Sequence, residues 1–273
     1  MEYDPVKDAL GKFFRIYPVL HRVFFALLHA VFLRSWYVRR EVHALLGGAP
    51  AGRPADVLDA GTGFGQYAEY IARRFPRARV LAVDIKPDYL ADLRRFVERT
   101  SLRDRIAFRE YDLTGLPLDQ AFDLIVSVDV MEHIEDDRIV FRNFAQMLRD
   151  GGHVIVNTPS DQGGSDTETH GEEGFVDEHV RPGYGLAELR EKMEEAGLET
   201  VRARYTYGRY GSKAWRILVK WPMQMLAATR LAFAVLPVYY LAALPVGLVL
   251  NAVDVRSRNE TGTGLILVAR KKA

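Results

Sequence analysis

The stretch Val57-Leu58-Asp59-Ala60-Gly61-Thr62-Gly63-Phe64-Gly65 sets a carboxylate just before three closely spaced glycines. Gly61, Gly63 and Gly65 lack the Cβ atoms that would hold a ligand off the backbone, and they permit positive φ in a sharp reversal. A nucleoside-like ligand fits such a turn. A phosphate-gripping dinucleotide loop would read G-x-G-x-x-G, whereas Gln66 follows Gly65 here and the third glycine comes one residue early. Asp59 would repel a pyrophosphate and suits a cation that carries an amino group. Asp84 stands about 20 residues beyond the glycines, where an acid accepts hydrogen bonds from two ribose hydroxyls.

If the acceptor of a reaction at this site carries a proton, a base must take it. His133, beside Glu132, and His179, among Glu178, Arg181 and Tyr184, are the candidates, with a structural role the alternative for each. His153 opens an apolar strand and reads as packing. The acids and histidines of residues 158–185 have no diagnostic ligand spacing, so no metal is assigned.

Strands must carry these groups to one edge. Val57 and Leu58 end a short buried strand, and residues 66–75 read as a helix with Tyr67, Tyr70 and Ile71 on one side. Residues 80–83, 106–110, 122–128 and 153–157 are further strands. Residues 88–99, 136–149 and 186–196 are helices, the second stopped by Gly151-Gly152 and the third by Gly197. Strand and helix alternate, which implies a doubly wound parallel sheet with its ligand site at the carboxyl ends of the strands. Residues 158–185 leave that edge without any apolar period and read as a substrate-facing lid.

At 273 residues the chain can bury one α/β core with additions. Its lack of cysteine excludes disulfides, thiolate nucleophiles and cysteine-ligated zinc, and fits a reducing compartment. A net charge of +1 argues against a general nucleic-acid binder.

Asp59, the three glycines, Asp84, Asp112 and Asp129, taken together at these spacings, resemble the motifs of the class I S-adenosylmethionine-dependent methyltransferases. The resemblance runs over residues 57–198 and resumes at Gly264. It implies an α/β, Rossmann-like, doubly wound seven-stranded sheet with an antiparallel last strand, residues 200–207 and 264–270 forming the final hairpin. It also implies S-adenosylmethionine as cofactor, held by Asp59, Gly61, Gly63, Gly65, Asp84, Ile85, Asp112, Leu113 and Asp129, with Asp112 accepting from the adenine amino group. Asp129-Val130-Met131-Glu132-His133-Ile134 resembles the segment found in methyltransferases of small molecules and lipids. It lacks the two prolines and aromatic residue usual in methylases of nucleic-acid bases.

Two additions flank the core of residues 47–210 and 261–273: an N-terminal segment, 1–46, and an insert, 211–260. In residues 12–38, Phe13, Ile16, Tyr17, Leu20, Val23, Phe24, Leu27, Val31 and Phe32 recur at helical spacing. Arg15, Arg22 and His29 fall on one polar stripe, and Pro18 kinks the helix. Glu2, Asp4 and Asp8, with the charges that interrupt the apolar stretch, argue against a signal peptide. This helix packs over the sheet or meets a membrane.

The insert carries Lys213, Arg216, Lys220 and Arg230, with no acid between Val201 and Val253. Its uncharged run from Leu231 to Leu250 is long enough to cross a bilayer, although Pro237 and Pro245 interrupt it. Both ends return to one sheet edge and the charged first half cannot supply a second crossing, so a segment in the interface, or a shallow re-entrant one, is expected. The leading expectation is methyl transfer to a lipid or other apolar substrate by a cytoplasmic protein peripheral on the inner face of the membrane. The alternatives are a soluble small-molecule substrate, with the apolar segments forming a homodimer, and a protein that binds the cofactor without turnover.

Overall fold

The computed structural model describes residues 18–48, 53–163, 180–229 and 231–272. Helices α1 (Pro18–Val31) and α2 (Leu33–Leu46) lead into β1 (Ala55–Ala60), α3 (Gln66–Arg74), β2 (Ala78–Asp84), α4 (Pro87–Val97), β3 (Ile106–Glu110) and β4 (Phe122–Val128). A 3-10 turn (Met131–His133) precedes α5 (Asp137–Met147), β5 (Leu148–Pro159), α6 (Leu186–Glu195) and β6 (Leu198–Thr206). The insert then runs through α7 (Arg209–Trp215), a π-helical turn (Arg216–Lys220), α8 (Trp221–Ala228) and α9 (Ala232–Arg256) to β7 (Gly264–Lys271).

The strands form one sheet in the order β3-β2-β1-β4-β5-β7-β6, parallel except for β7, which is antiparallel to β5 and β6. This is the expected Rossmann-like arrangement. Side chains alternate across a strand, so Val57, Leu124 and Ile155 join one layer with α1 to α4, and Leu58, Ile125 and Val156 join the other with α5 and α6. All six are fully buried or nearly so, each contributing on the order of 1.5 to 3 kcal/mol. A slip of one residue would exchange the two layers.

Two expected boundaries move. Helix α5 ends at Met147, and β5 begins at Leu148 and runs through Gly151 and Gly152 to Pro159. Leu148 pairs with Phe122, and Arg149 binds Asp56 at 2.8 Å and Asp123 at 3.1 Å, which commits the stretch to the sheet before the glycines arrive. The N-terminal helix is broken at Phe32, whose extended backbone separates α1 from α2; residues 1–17, with Arg15, lie outside the described part.

The face that α1 buries also corrects the reading of a polar stripe. His29 is only 5 % exposed, its Nδ1 lies 2.6 Å from Ser35 Oγ, and its ring packs edge-on against Tyr70. His21 stacks on Phe96 at 4.2 Å and Phe25 packs edge-on against both rings, while Val23 and Leu27 point to solvent. Flat imidazoles suit an aromatic surface, and a serine supplies the polar partner that hydrophobic periodicity ignores.

The insert leaves from the working edge of the sheet, because Thr206 of β6 pairs with Gly264 of β7, which pairs with Pro159 at the end of β5. Its base is tied to the N-terminal arm at Asp254, which is fully buried. Tyr37 Oη donates to Asp254 Oδ1 at 2.6 Å, Gly211 N donates to Oδ2 at 2.8 Å, and Asn259 Nδ2 donates to Oδ1 at 3.1 Å.

Burial, and next Arg39, depress the His29 imidazole to about 4 from 6.5. A histidine with a lowered folded pKa contributes stability that is present above 6.5 and is lost as pH falls through about 4, at most about 3 kcal/mol here. Thermal melts across that window are expected to show a steeper loss for the wild type than for His29→Gln. Parallel pH profiles would place the acid sensitivity elsewhere.

Candidate active site

The glycine turn is built as two supports and one opening. Gly61, Gly63 and Gly65 all have left-handed φ, at 76°, 51° and 80°. A Cβ on Gly61 would collide with Val130 and one on Gly65 with Leu93, so these two let the turn pack. A Cβ on Gly63 would meet nothing within 4 Å, so the crest of the turn lies open to a ligand.

Asp59 braces the turn from inside. It is 2 % exposed, and its Oδ2 accepts from Thr62 Oγ1 at 2.6 Å and from Ala68 N at 3.1 Å, one of the backbone donors left over in the first turn of α3. Burial lifts its pKa to about 6. Asp84 ties the neighbouring strand to the crest: its Oδ2 accepts from Gly63 N and its Oδ1 from Lys86 N, both at 2.9 Å. Ile85 follows, 62 % exposed, an apolar side chain in the open beside a candidate nucleoside site. Asp112 is exposed after β3, its Oδ1 accepting from Thr114 N and Oγ1. Leu113 is buried and its carbonyl accepts from Asn143 Nδ2 at 2.8 Å, which fixes that loop.

Beyond β4 stands a group that sequence reasoning missed. Asp129 has left-handed φ at 53°, and its Oδ2 lies 2.6 Å from Arg34 Nη1. Tyr207, at φ 54°, accepts through Oη from the Arg34 backbone N–H at 3.1 Å. Such conformations cost of order 1 to 3 kcal/mol in non-glycine residues and gather at functional sites. Here both strained residues hold the same arginine, which α2 carries to the carboxyl edge. No local motif marks Arg34; in the sequence it is one of several arginines after an apolar stretch.

Glu132 is the second missed group. It is 1 % exposed, its Oε2 accepts from Thr158 Oγ1 at 3.1 Å, and burial, then the nearby Asp129, lift its pKa to about 8. His133 is exposed on the same turn. His179 lies outside the described residues, with most of the expected lid. The far end of that segment is fastened to the same turn. Val180 N donates to the Glu132 carbonyl at 3.0 Å, and Arg181 and Tyr184 Oη both reach Asp137 Oδ2 at 2.6 Å, joined by Lys192 Nζ at 2.7 Å. Both flanks of residues 158–185 are therefore anchored beside Asp129. Tyr67, 4 % exposed, belongs to the core as its helical position suggested. Among the described residues no three or more His, Asp or Glu side chains gather as a metal site.

These parts fit S-adenosylmethionine: an open glycine crest, an acid at the end of β2, an acid after β3, and an acid and a guanidinium after β4 where a zwitterion would lie. Residues 57–152 match the family described as methyltransferase domain, and with this sheet the chain carries a class I S-adenosylmethionine-dependent methyltransferase domain. A probable S-adenosylmethionine-dependent methyltransferase of Mycolicibacterium smegmatis is 33 % identical over 166 residues, 60 % of this chain and 59 % of that protein. The matches to this protein and to two other curated relatives span 30 % to 59 % of the relatives' lengths. Among solved structures, phosphoethanolamine N-methyltransferase 2 of Haemonchus contortus in complex with S-adenosyl-L-methionine is similar at TM-score 0.59 and 18 % identity, over 98 % of this chain and 60 % of that one. The [4+2]-cyclase SpnF is similar at TM-score 0.59 and 16 % identity, over 96 % and 97 %. At these identities the likeness is one of fold.

Asp84→Ala is expected to weaken cofactor binding by about tenfold to a hundredfold, the range for hydrogen bonds to a charged group, while the chain stays folded. Unchanged affinity in calorimetry would put the ribose elsewhere. Asp137→Ala leaves the buried Lys192 ammonium with Glu188 alone and the Arg181 guanidinium with two backbone carbonyls, and is expected to cost about 1.5 to 3 kcal/mol in denaturant unfolding.

Proposed function

We propose that this protein transfers the methyl group of S-adenosylmethionine to a lipid or other apolar acceptor at a membrane surface, working from the cytoplasmic face. One observation carries the acceptor class. The edge that holds Asp59, Asp84 and Asp129 also extends the 25-residue apolar helix α9, which leaves Phe233, Val238, Leu241 and Val249 more than half exposed.

Bound at this edge, the cofactor supplies a methyl carbon activated by a positive sulfur. The protein then has mainly to position and, for a protonated acceptor, to take a proton. Asp84 and the Gly63 crest hold the ribose, and Asp112 accepts from the adenine amino group. Asp129 suits the α-ammonium and Arg34 the α-carboxylate, a charge-assisted pairing that the two strained residues keep in place. Asp59 acts one step back, by holding the turn. His179, next in sequence to the anchored Val180, and His133, on the turn after β4, are the bases proposed for the acceptor.

Membrane lipids incubated with the protein and methyl-labelled cofactor are expected to take up label in an organic-soluble product. His179→Ala is expected to lower that turnover about a hundredfold or more with cofactor affinity unchanged. Label confined to water-soluble acceptors would replace the apolar substrate with a soluble one, and cofactor binding with no transfer to any fraction would leave a binding protein.

A further inference from the structure

We propose that the insert lies flat in one leaflet of an anionic membrane, with α9 sunk to the acyl boundary and the basic face of α7 and the π-helical turn above it among the phosphates. This rests on the membrane-surface part of the proposed function. Along α9 the exposed residues Val235, Val238, Leu241, Val246, Val249 and Val253 recur three to five apart and make one apolar face about 27 Å long. Ala243, Gly247, Asn251 and Asp254 are buried on the opposite side. Leu218 packs on Gly247, where a Cβ would displace it.

The helical segment packed on α9 has the complementary pattern. Gly211, Ala214, Leu218 and Pro222 are buried, whereas Lys213 and Arg216 are exposed and Lys220 is half-buried, three and four residues apart on the far side. The sequence between Val201 and Val253 holds no acid. The hairpin is thus amphipathic through its thickness, apolar below and basic above, which is the composition of an element lying in an anionic interface. A second copy covering the apolar face would offer the basic one, from its own insert, only the fully buried Asp254, and Glu260 at the insert's end.

A backbone detail points the same way. The N–H that Pro222 lacks would serve the Leu218 carbonyl in α geometry and the Ile217 carbonyl in the π geometry of this turn. Tyr240 Oη donates to Leu218 O, and Tyr239 Oη to Ile217 O, each at 2.7 Å. Water would serve freed carbonyls on an ordinary surface helix, whereas a segment removed from water must satisfy them from within. The two tyrosines do so, with Trp221 exposed beside them as an amphipathic side chain suited to the headgroup level.

The chain has no cysteine, so single cysteines at Val238, Val249 and Lys213 can carry a fluorophore on the full-length protein. With phosphatidylcholine–phosphatidylglycerol vesicles containing acyl-brominated lipid, quenching is expected to be similar for Val238→Cys and Val249→Cys and absent for Lys213→Cys. Omitting phosphatidylglycerol, or combining Lys213→Glu, Arg216→Glu and Lys220→Glu, is expected to weaken vesicle binding about a hundredfold. Quenching at Val238 alone would mean a tip inserted end-on, and quenching at Lys213 as well would mean a crossing. An unquenched protein that sediments as a dimer would make the face a subunit contact. Each of these three overturns the proposal. Transfer to detergent-dispersed lipid is followed in parallel: retained transfer with failed docking refutes only this inference, and lost transfer with intact docking refutes only the proposed substrate.

Discussion

A single buried carboxylate sets the shape on which the site depends. Asp59 stands near the end of β1 with almost no access to water, and it holds the Thr62 hydroxyl and the Ala68 N–H at once. Removing it would orphan both donors, at about 1 to 3 kcal/mol each, and release a turn in which three glycines already have left-handed φ. Because Gly63 N also donates to Asp84, that turn fixes the carboxylate at the end of β2 as well. The parallel register of β1 with β2 and β4 then carries Asp129 to the same edge.

The additions join the site through polar contacts. Arg34 reaches Asp129 from α2, and the same helix, through Tyr37, meets Asp254 at the base of the hairpin. Asp254 also receives Gly211 N and Asn259 Nδ2, so a buried acid links the arm that brings Arg34 to the insert that exposes an apolar helix. Arg34 is held by two residues whose backbones are strained, so the cost of the contact is met by packing elsewhere in the fold. The arm and the insert therefore belong to the construction of the site.

Much of the core was legible because its signals are local. Glycine spacing, the apolar runs of the strands and the acids that end them are consequences of backbone geometry and of burial on both faces of a parallel sheet. The boundary between α5 and β5 was misread because Gly151 and Gly152 look like a helix stop, while the pairing of Leu148 with Phe122 and the ion pairs of Arg149 act across the fold. His29 was misplaced for a similar reason. Periodicity sorts residues by polarity, and the serine and aromatic rings that make a buried imidazole acceptable lie outside its own helix.

The sequence by itself determined the class of sheet, the glycine turn, the acids at the carboxyl ends of β1 to β4 and the presence of a long apolar segment, since each follows from residues close together in the chain. Only the tertiary structure decided that Asp59 faces inward, that Glu132 is the buried member of the Glu132-His133 pair, and that Arg34 stands at Asp129 across almost a hundred residues of chain. It also decided which side of α9 is bare and which hydroxyls serve the carbonyls near Pro222. These are choices of side-chain direction and of distant partners, made when whole elements pack, and no short stretch of chain encodes them.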